Sequence, residues 1–74
     1  MISYDPEVDA AYIQLTDEPL QPGRDSIACS SPPGIDAWVA MDWKDGKIAG
    51  LEGLNASALL HADLLAQARR PGPS

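Results

Sequence analysis

Val39-Ala40-Met41-Asp42-Trp43-Lys44-Asp45-Gly46-Lys47-Ile48-Ala49-Gly50-Leu51-Glu52 is the stretch on which the fold turns. It reads as two strands, Ala37 to Trp43 and Lys47 to Leu54, around Lys44-Asp45-Gly46. Register decides what is buried, because a one-residue slip moves every side chain of a strand to the other face. A two-residue turn at Asp45-Gly46 pairs Trp43 with Ile48 and sets Glu52 beside Val39. A three-residue turn with Gly46 in the left-handed conformation pairs Trp43 with Lys47 and Met41 with Ala49. The second register gathers Val39, Met41, Ala49 and Leu51 on one face and sends Asp42 and Glu52 to the other. Charge segregation favours it.

Upstream, residues 2–16 read as another hairpin. Ile2-Ser3-Tyr4 is a short strand and Ala10 to Thr16 a longer one, with Asp5-Pro6-Glu7-Val8-Asp9 as the turn. Ala11, Ile13 and Leu15 share one face, opposite Ala10, Tyr12 and Gln14. Helix is the competing reading for Glu7 to Leu15, but Tyr12, Ile13 and Thr16 suit a pleated surface better. Asp17 to Asp25 is loop by its two prolines and glycine. Ser26 to Ser30 is an optional short third strand, and Ser31-Pro32-Pro33-Gly34 breaks the chain again.

Downstream, Asn55 or Ser57 can cap a helix. Leu60, Leu64 and Ala68, flanked by Leu65, form its apolar stripe. Arg69 and Arg70 suit the negative helix end, and Pro71 stops it. A break at His61-Ala62-Asp63 into a second helix is the alternative. The expected fold is α+β: a small antiparallel sheet of two hairpins, with the optional extra strand, packed against a C-terminal α-helix. Residues 1–70 form one domain in this reading, and 71–74 a flexible tail.

A chain of 74 residues supports one core at most. Cys29 is the only cysteine and His61 the only histidine, so neither an internal disulfide nor a four-ligand zinc site can reinforce it. Self-association or a protein partner is the remaining source of stability. The net charge of −6 is unevenly placed. Residues 1–43 carry Asp5, Glu7, Asp9, Asp17, Glu18, Asp25, Asp36 and Asp42 against Arg24 alone. Such a surface repels phosphate backbones, which disfavours nucleic acid and leaves solubility or a basic protein partner as its use. Residues 1–5 lack the basic start and apolar run of a signal peptide, and Ser26 to Ile35 is too short and too polar to span a membrane. The expected location is the cytoplasm.

No stretch carries a recognisable catalytic, metal or cofactor site. Asp5 and Asp9 flank a turn and could share a cation, but two carboxylates are not a cage, and capping the turn explains Asp5 equally well. Aligning Gly46 with the glycine of a calcium loop puts Glu52 at the last ligand position but Met41 and Trp43 at earlier ones, where neither can coordinate. Cys29 and His61 make a thiol–imidazole couple only if the fold brings them together with an orienting group. A buried small apolar thiol and a solvent-facing histidine are the plainer readings. Trp38 and Trp43 point to opposite faces of their strand, so one is covered by the helix, exposed or at an interface. Tyr12 faces the same choice opposite Ile13. Tyr12, Trp38, Trp43 and Ile48 are the candidate interaction surface, against a plainer role in the core and at its edge.

Two stretches together resemble a family of small bacterial proteins, the domain of unknown function 2283 family. They are Tyr4-Asp5-Pro6-Glu7-Val8-Asp9-Ala10-Ala11-Tyr12-Ile13-Gln14-Leu15 and Val39 to Glu52, the latter followed by Asn55-Ala56-Ser57. The departures are the proline-rich connections between Asp17 and Asp36, an insertion before Trp38, and Gly53 in place of a bulky apolar residue. The resemblance implies an antiparallel sheet with a C-terminal helix. It implies no catalytic residues, and it adds an antitoxin-like role as an alternative. The functional expectation is therefore a non-catalytic protein-interaction or regulatory module without cofactor, a homo-oligomer (a dimer foremost) or the partner of another protein. A small enzyme using an unrecognised carboxylate or Cys29/His61 site is the remaining alternative.

Overall fold

The computed structural model describes residues 1–18 and 23–71. Five strands form one sheet: β1 (Ile2–Asp5), β2 (Ala10–Gln14), β3 (Asp25–Cys29), β4 (Trp38–Lys44) and β5 (Lys47–Leu54). All neighbours are antiparallel in the order β1-β2-β5-β4-β3. Two short helices follow, α1 (Ala56–Leu59) and α2 (Ala62–Gln67). The α+β class expected from the sequence is correct. The optional strand expected at Ser26 to Ser30 is a full sheet member with bounds Asp25–Cys29, and the single C-terminal helix is replaced by two. No described helix is long and apolar enough to cross a membrane. Residues 19–22 of the Asp17 to Asp25 loop and 72–74 of the expected tail lie outside the described residues.

The β4–β5 turn corrects the sequence reading. Asp45 (φ 53°) and Gly46 (φ 78°) form a two-residue turn with both central residues left-handed, so Lys44 pairs with Lys47 and Trp43 with Ile48. Such turns match the right-handed twist of the strands, and aspartate is among the residues that tolerate positive φ. Beyond the turn a β-bulge leaves Ala49 without an opposite residue, and Asp42 then faces Gly50 and Met41 faces Leu51. A two-residue turn plus one bulged residue has the same parity as the three-residue turn. The faces therefore come out as charge segregation demanded. Val39, Met41 and Leu51 share one side, while Asp42 and Glu52 share the other.

Register extends the two sides across the sheet. Ala11, Ile13, Val39, Leu51 and Gly53 lie on one side, where the Leu59 side chain of α1 rests against Gly53. Tyr12, Ser26, Trp38, Ala40, Asp42, Gly50, Glu52 and Leu54 lie on the other. Glycine is required at position 50 because the Tyr12 ring crosses it. A Cβ built on Gly50 would fall 2.6 Å from Tyr12 Cε1.

The helix start also differs from expectation. Asn55 is left-handed (φ 56°) and makes no side-chain cap; its amide donates instead to the Asp36 carbonyl at 2.8 Å. The cap comes from the β1–β2 turn. The Asp9 carbonyl accepts the Ala56 N–H at 2.9 Å, and its carboxylate accepts the Ser57 N–H and hydroxyl at 2.9 and 2.6 Å. The helical run breaks where Leu60 and His61 are extended, and the His61 carbonyl accepts the N–H groups of Leu64 and Leu65 to start α2. Past α2, Arg69 makes a parallel bridge to Ser3. The Tyr4 N–H donates to the Arg69 carbonyl, and the Arg69 N–H to the Ile2 carbonyl, both at 2.8 Å. The outer edge of β1 is thereby covered.

Substituting Gly50→Ala should push the Tyr12 ring off the sheet. The expected cost is about 1–3 kcal/mol, the usual range for overpacking, read from the urea midpoint.

Candidate functional site

The most buried polar group is the Asp42 carboxylate, with the residue only 1% exposed. β4 carries Asp42 beside the bulge. β3 sets Ser26 directly opposite, and its hydroxyl donates to Asp42 Oδ1. From β2, Tyr12 reaches across β5 over Gly50 and donates its hydroxyl to Asp42 Oδ2 at 2.9 Å. Arg24, just before β3, places Nε 3.4 Å from the same oxygen. Among the described residues no buried side-chain nitrogen or oxygen lacks a partner. Burial, and then the hydrogen bond to Asp42 and its negative charge, raise the Tyr12 pKa, so the phenol stays protonated and keeps donating. A carboxylate held by two hydroxyls and a guanidinium under such burial has no approach for a substrate. Its chemistry is that of a structural pin.

A second polar cluster sits at the β1–β2 turn. Tyr4 donates to Asp9 Oδ1 at 2.7 Å, beside the Ser57 bonds to the same carboxylate. The Ser57 hydroxyl first, then Tyr4, lower the Asp9 pKa. The hydrogen bond to Asp9 raises that of Tyr4, whose ring also stacks under the Arg70 guanidinium at 4.7 Å. Asp5 turns elsewhere and accepts the Glu7 N–H at 3.0 Å. The Asp5–Asp9 pair weighed as a cation site thus serves two separate structural tasks. Among the described residues no group of three or more His, Cys, Asp or Glu is placed to hold a metal.

Cys29 lies half-buried at the end of β3, its thiol 3.9 Å from the Ile27 carbonyl, while the exposed His61 precedes α2. No hydrogen bond joins them. Of the candidate surface residues, Tyr12 is committed to Asp42. Trp38 pairs with Leu54 across β4 and β5, and Trp43 with Ile48 beside the turn. Trp38 is 39% exposed, Trp43 36% and Leu54 43%, while Ile48 is half-buried. Open cavities among the described residues lie against the sheet. One of about 340 Å³ lies between Tyr4, Tyr12, Glu52, Arg69 and Arg70. An apolar one of about 150 Å³ lies between Ile13, Val39, Leu51, Leu59 and Leu60.

Sequence reasoning missed the Asp42 pin and the Asp9 cap. The alternation of residue types did place Tyr12 opposite Ile13 and Asp42 opposite Met41, which is the only local signal of the first. Truncating Asp42→Ala should cost about 3 kcal/mol by removing the buried acceptor that Ser26, Tyr12 and Arg24 share, against about 1 kcal/mol for Tyr12→Phe, both read from denaturant midpoints. The lowered Asp9 pKa sets the sign of an acid effect. Its contribution is complete above the unfolded carboxylate pKa and is lost as pH falls through the folded one. Stability should therefore drop on acidification through and below the ordinary aspartate range, with a shallower slope in Asp9→Asn.

The two motif-bearing stretches that resembled a known family form β1–β2 and β4–β5, together with the start of α1. No match was found among curated proteins or among solved structures. A family model, that of a protein of unknown function (DUF2283), matches residues 1–57 of the 74, and the chain belongs to that family.

Proposed function

We propose that this protein is a non-catalytic, cytoplasmic protein-interaction module that self-associates, as a dimer in its simplest form. One observation carries this reading. Among the described residues, the buried apolar ones are all alanines: Ala11, Ala40, Ala49, Ala56 and Ala68. The larger apolar side chains Ile13, Val39, Leu51, Leu64 and Leu65 are only half-buried, and Leu15, Ile27, Trp38, Trp43 and Leu54 are exposed. A core of alanines removes little apolar surface from water, and a second chain completes the burial. Exposed tryptophans suit such a contact, because aromatic side chains dominate binding energies.

The acidic balance of residues 1–43 favours a second reading, an antitoxin-like protein that captures a small basic partner. Its test is genetic. A neighbouring gene product should be toxic alone and harmless when this chain is co-expressed, and a harmless neighbour would count against it.

Folding coupled to association makes stability depend on concentration. The melting temperature should rise with protein concentration, and sedimentation should show a species larger than the monomer. A concentration-independent melt of a well-folded monomer would reject self-association.

A further inference from the structure

We infer that the outer edge of β3 is a self-pairing surface, on which β3 of a second copy adds antiparallel and joins two five-stranded sheets into one of ten strands. This rests on the reading of the chain as self-associating and names the surface that does it.

The two edges of the sheet differ. β1 is covered by the bonds between Arg69, Ile2 and Tyr4, and Arg70 stacks on Tyr4. At β3 no described residue takes that place. Backbone bonds alternate in direction along antiparallel strands, and the pairing can be followed across the sheet. Gln14 bonds Met1 on one side of β2, and Leu15 bonds Ala49 on the other. The odd-numbered residues of β2 therefore face β5. The registers then turn Gly50, Glu52 and Leu54 toward β4, Val39, Met41 and Trp43 toward β3, and Asp25, Ile27 and Cys29 back toward β4. The N–H and C=O groups of Ser26 and Ala28 point outward. Such groups are completed by an extended backbone.

Residue types choose the second copy as that backbone. Exposed edges are ordinarily guarded by lysine, proline or a bulge, whereas Ser26-Ile27-Ala28-Cys29 carries no charge, proline or glycine. A chain of net charge −6 repels itself, so two copies can meet only where acids are absent or kept apart. A two-fold axis through Ile27 meets this condition. It pairs Ser26 with Ala28 of the second copy, reciprocally, through the four outward groups of each strand segment. It sets Asp25 opposite Cys29 of the second copy, so the two aspartates sit at opposite ends of the joint. Ile27, 57% exposed in one copy, meets its own equivalent. Ile27 and Cys29 continue the side that carries Val39 and Met41, so the apolar surfaces of both copies join across the axis.

The axis fixes a cross-linking pattern. The two Ile27 residues form a non-hydrogen-bonded pair with Cα atoms about 4.5 Å apart, within disulfide reach. The two Cys29 residues are separated by four residues of offset, roughly 13 Å. Under mild oxidation Ile27→Cys in a Cys29→Ser background should give a disulfide dimer rapidly, while the native chain with Cys29 should not. In sedimentation equilibrium, Ala28→Pro removes an outward N–H but no bond to β4, and Ile27→Lys places charge on the axis. Each should raise the dimer dissociation constant about tenfold or more, a loss of about 1.4 kcal/mol, with an unchanged circular dichroism spectrum. A native dimer that survives both substitutions, or that cross-links through Cys29 as readily as through Ile27→Cys, overturns the β3 surface and leaves self-association standing. A native chain that stays monomeric overturns both. Should Ala28→Pro fail to fold, Ile27→Lys and the cross-link decide the matter.

Discussion

A carboxylate taken out of water has to be met by charge and by donors, and at Asp42 that requirement ties the sheet together. Tyr12 can reach it only because Gly50 on the intervening strand has no side chain, so one hydrogen bond spans β2, β5 and β4. Ser26 and Arg24 bring in the β3 side. Any slip of register among these strands would separate the pair or turn Asp42 into the apolar side, so the polar cluster specifies the pairing as well as holding it. Asp9 does the equivalent work at the other end, fastening the β1–β2 turn and Tyr4 to the first turn of α1 through Ser57. Polar ties carry much of the specificity in a chain whose buried apolar residues, among those described, are alanines.

That division of labour leaves apolar surface uncovered within the chain. Large apolar side chains that do not find a place inside remain at the surface, along the Ile13–Val39–Leu51 groove, at Trp38 and Leu54 on the other side, and at Ile27 on the open edge. Of the polar groups, Asp42 is engaged by Tyr12, Ser26 and Arg24, and Asp9 by Tyr4 and Ser57. These exposed apolar and aromatic side chains, with the uncharged run Ser26 to Cys29 at the sheet edge, are the features on which the proposed self-association rests.

Much of this was legible beforehand. Alternation in Ala10 to Leu15 and in Val39 to Glu52 located the strands and separated their faces, and His61-Ala62-Asp63, the alternative to one continuous helix, is where the helices part. The turn was read as three residues because its parity gave the right faces. A two-residue turn followed by a bulge gives the same faces, and a bulge leaves little trace in residue types. Asn55 and Ser57 looked like local caps because nothing in the neighbouring sequence shows that Asp9, far along the chain, arrives at that helix end.

The sequence by itself determined which residues can pleat, which faces are apolar, and that no disulfide or four-ligand zinc site can form within one chain, since these follow from local sterics, periodicity and the residues available. Only the tertiary structure decided that Asp42 is buried, that Tyr12 lies over Gly50, that Asp9 caps α1, and that one sheet edge is closed while the other is covered by none of the described residues. Each of these depends on chain segments that meet only once the strand order is set, and pairing across a sheet brings together groups whose separation along the chain carries no record of it.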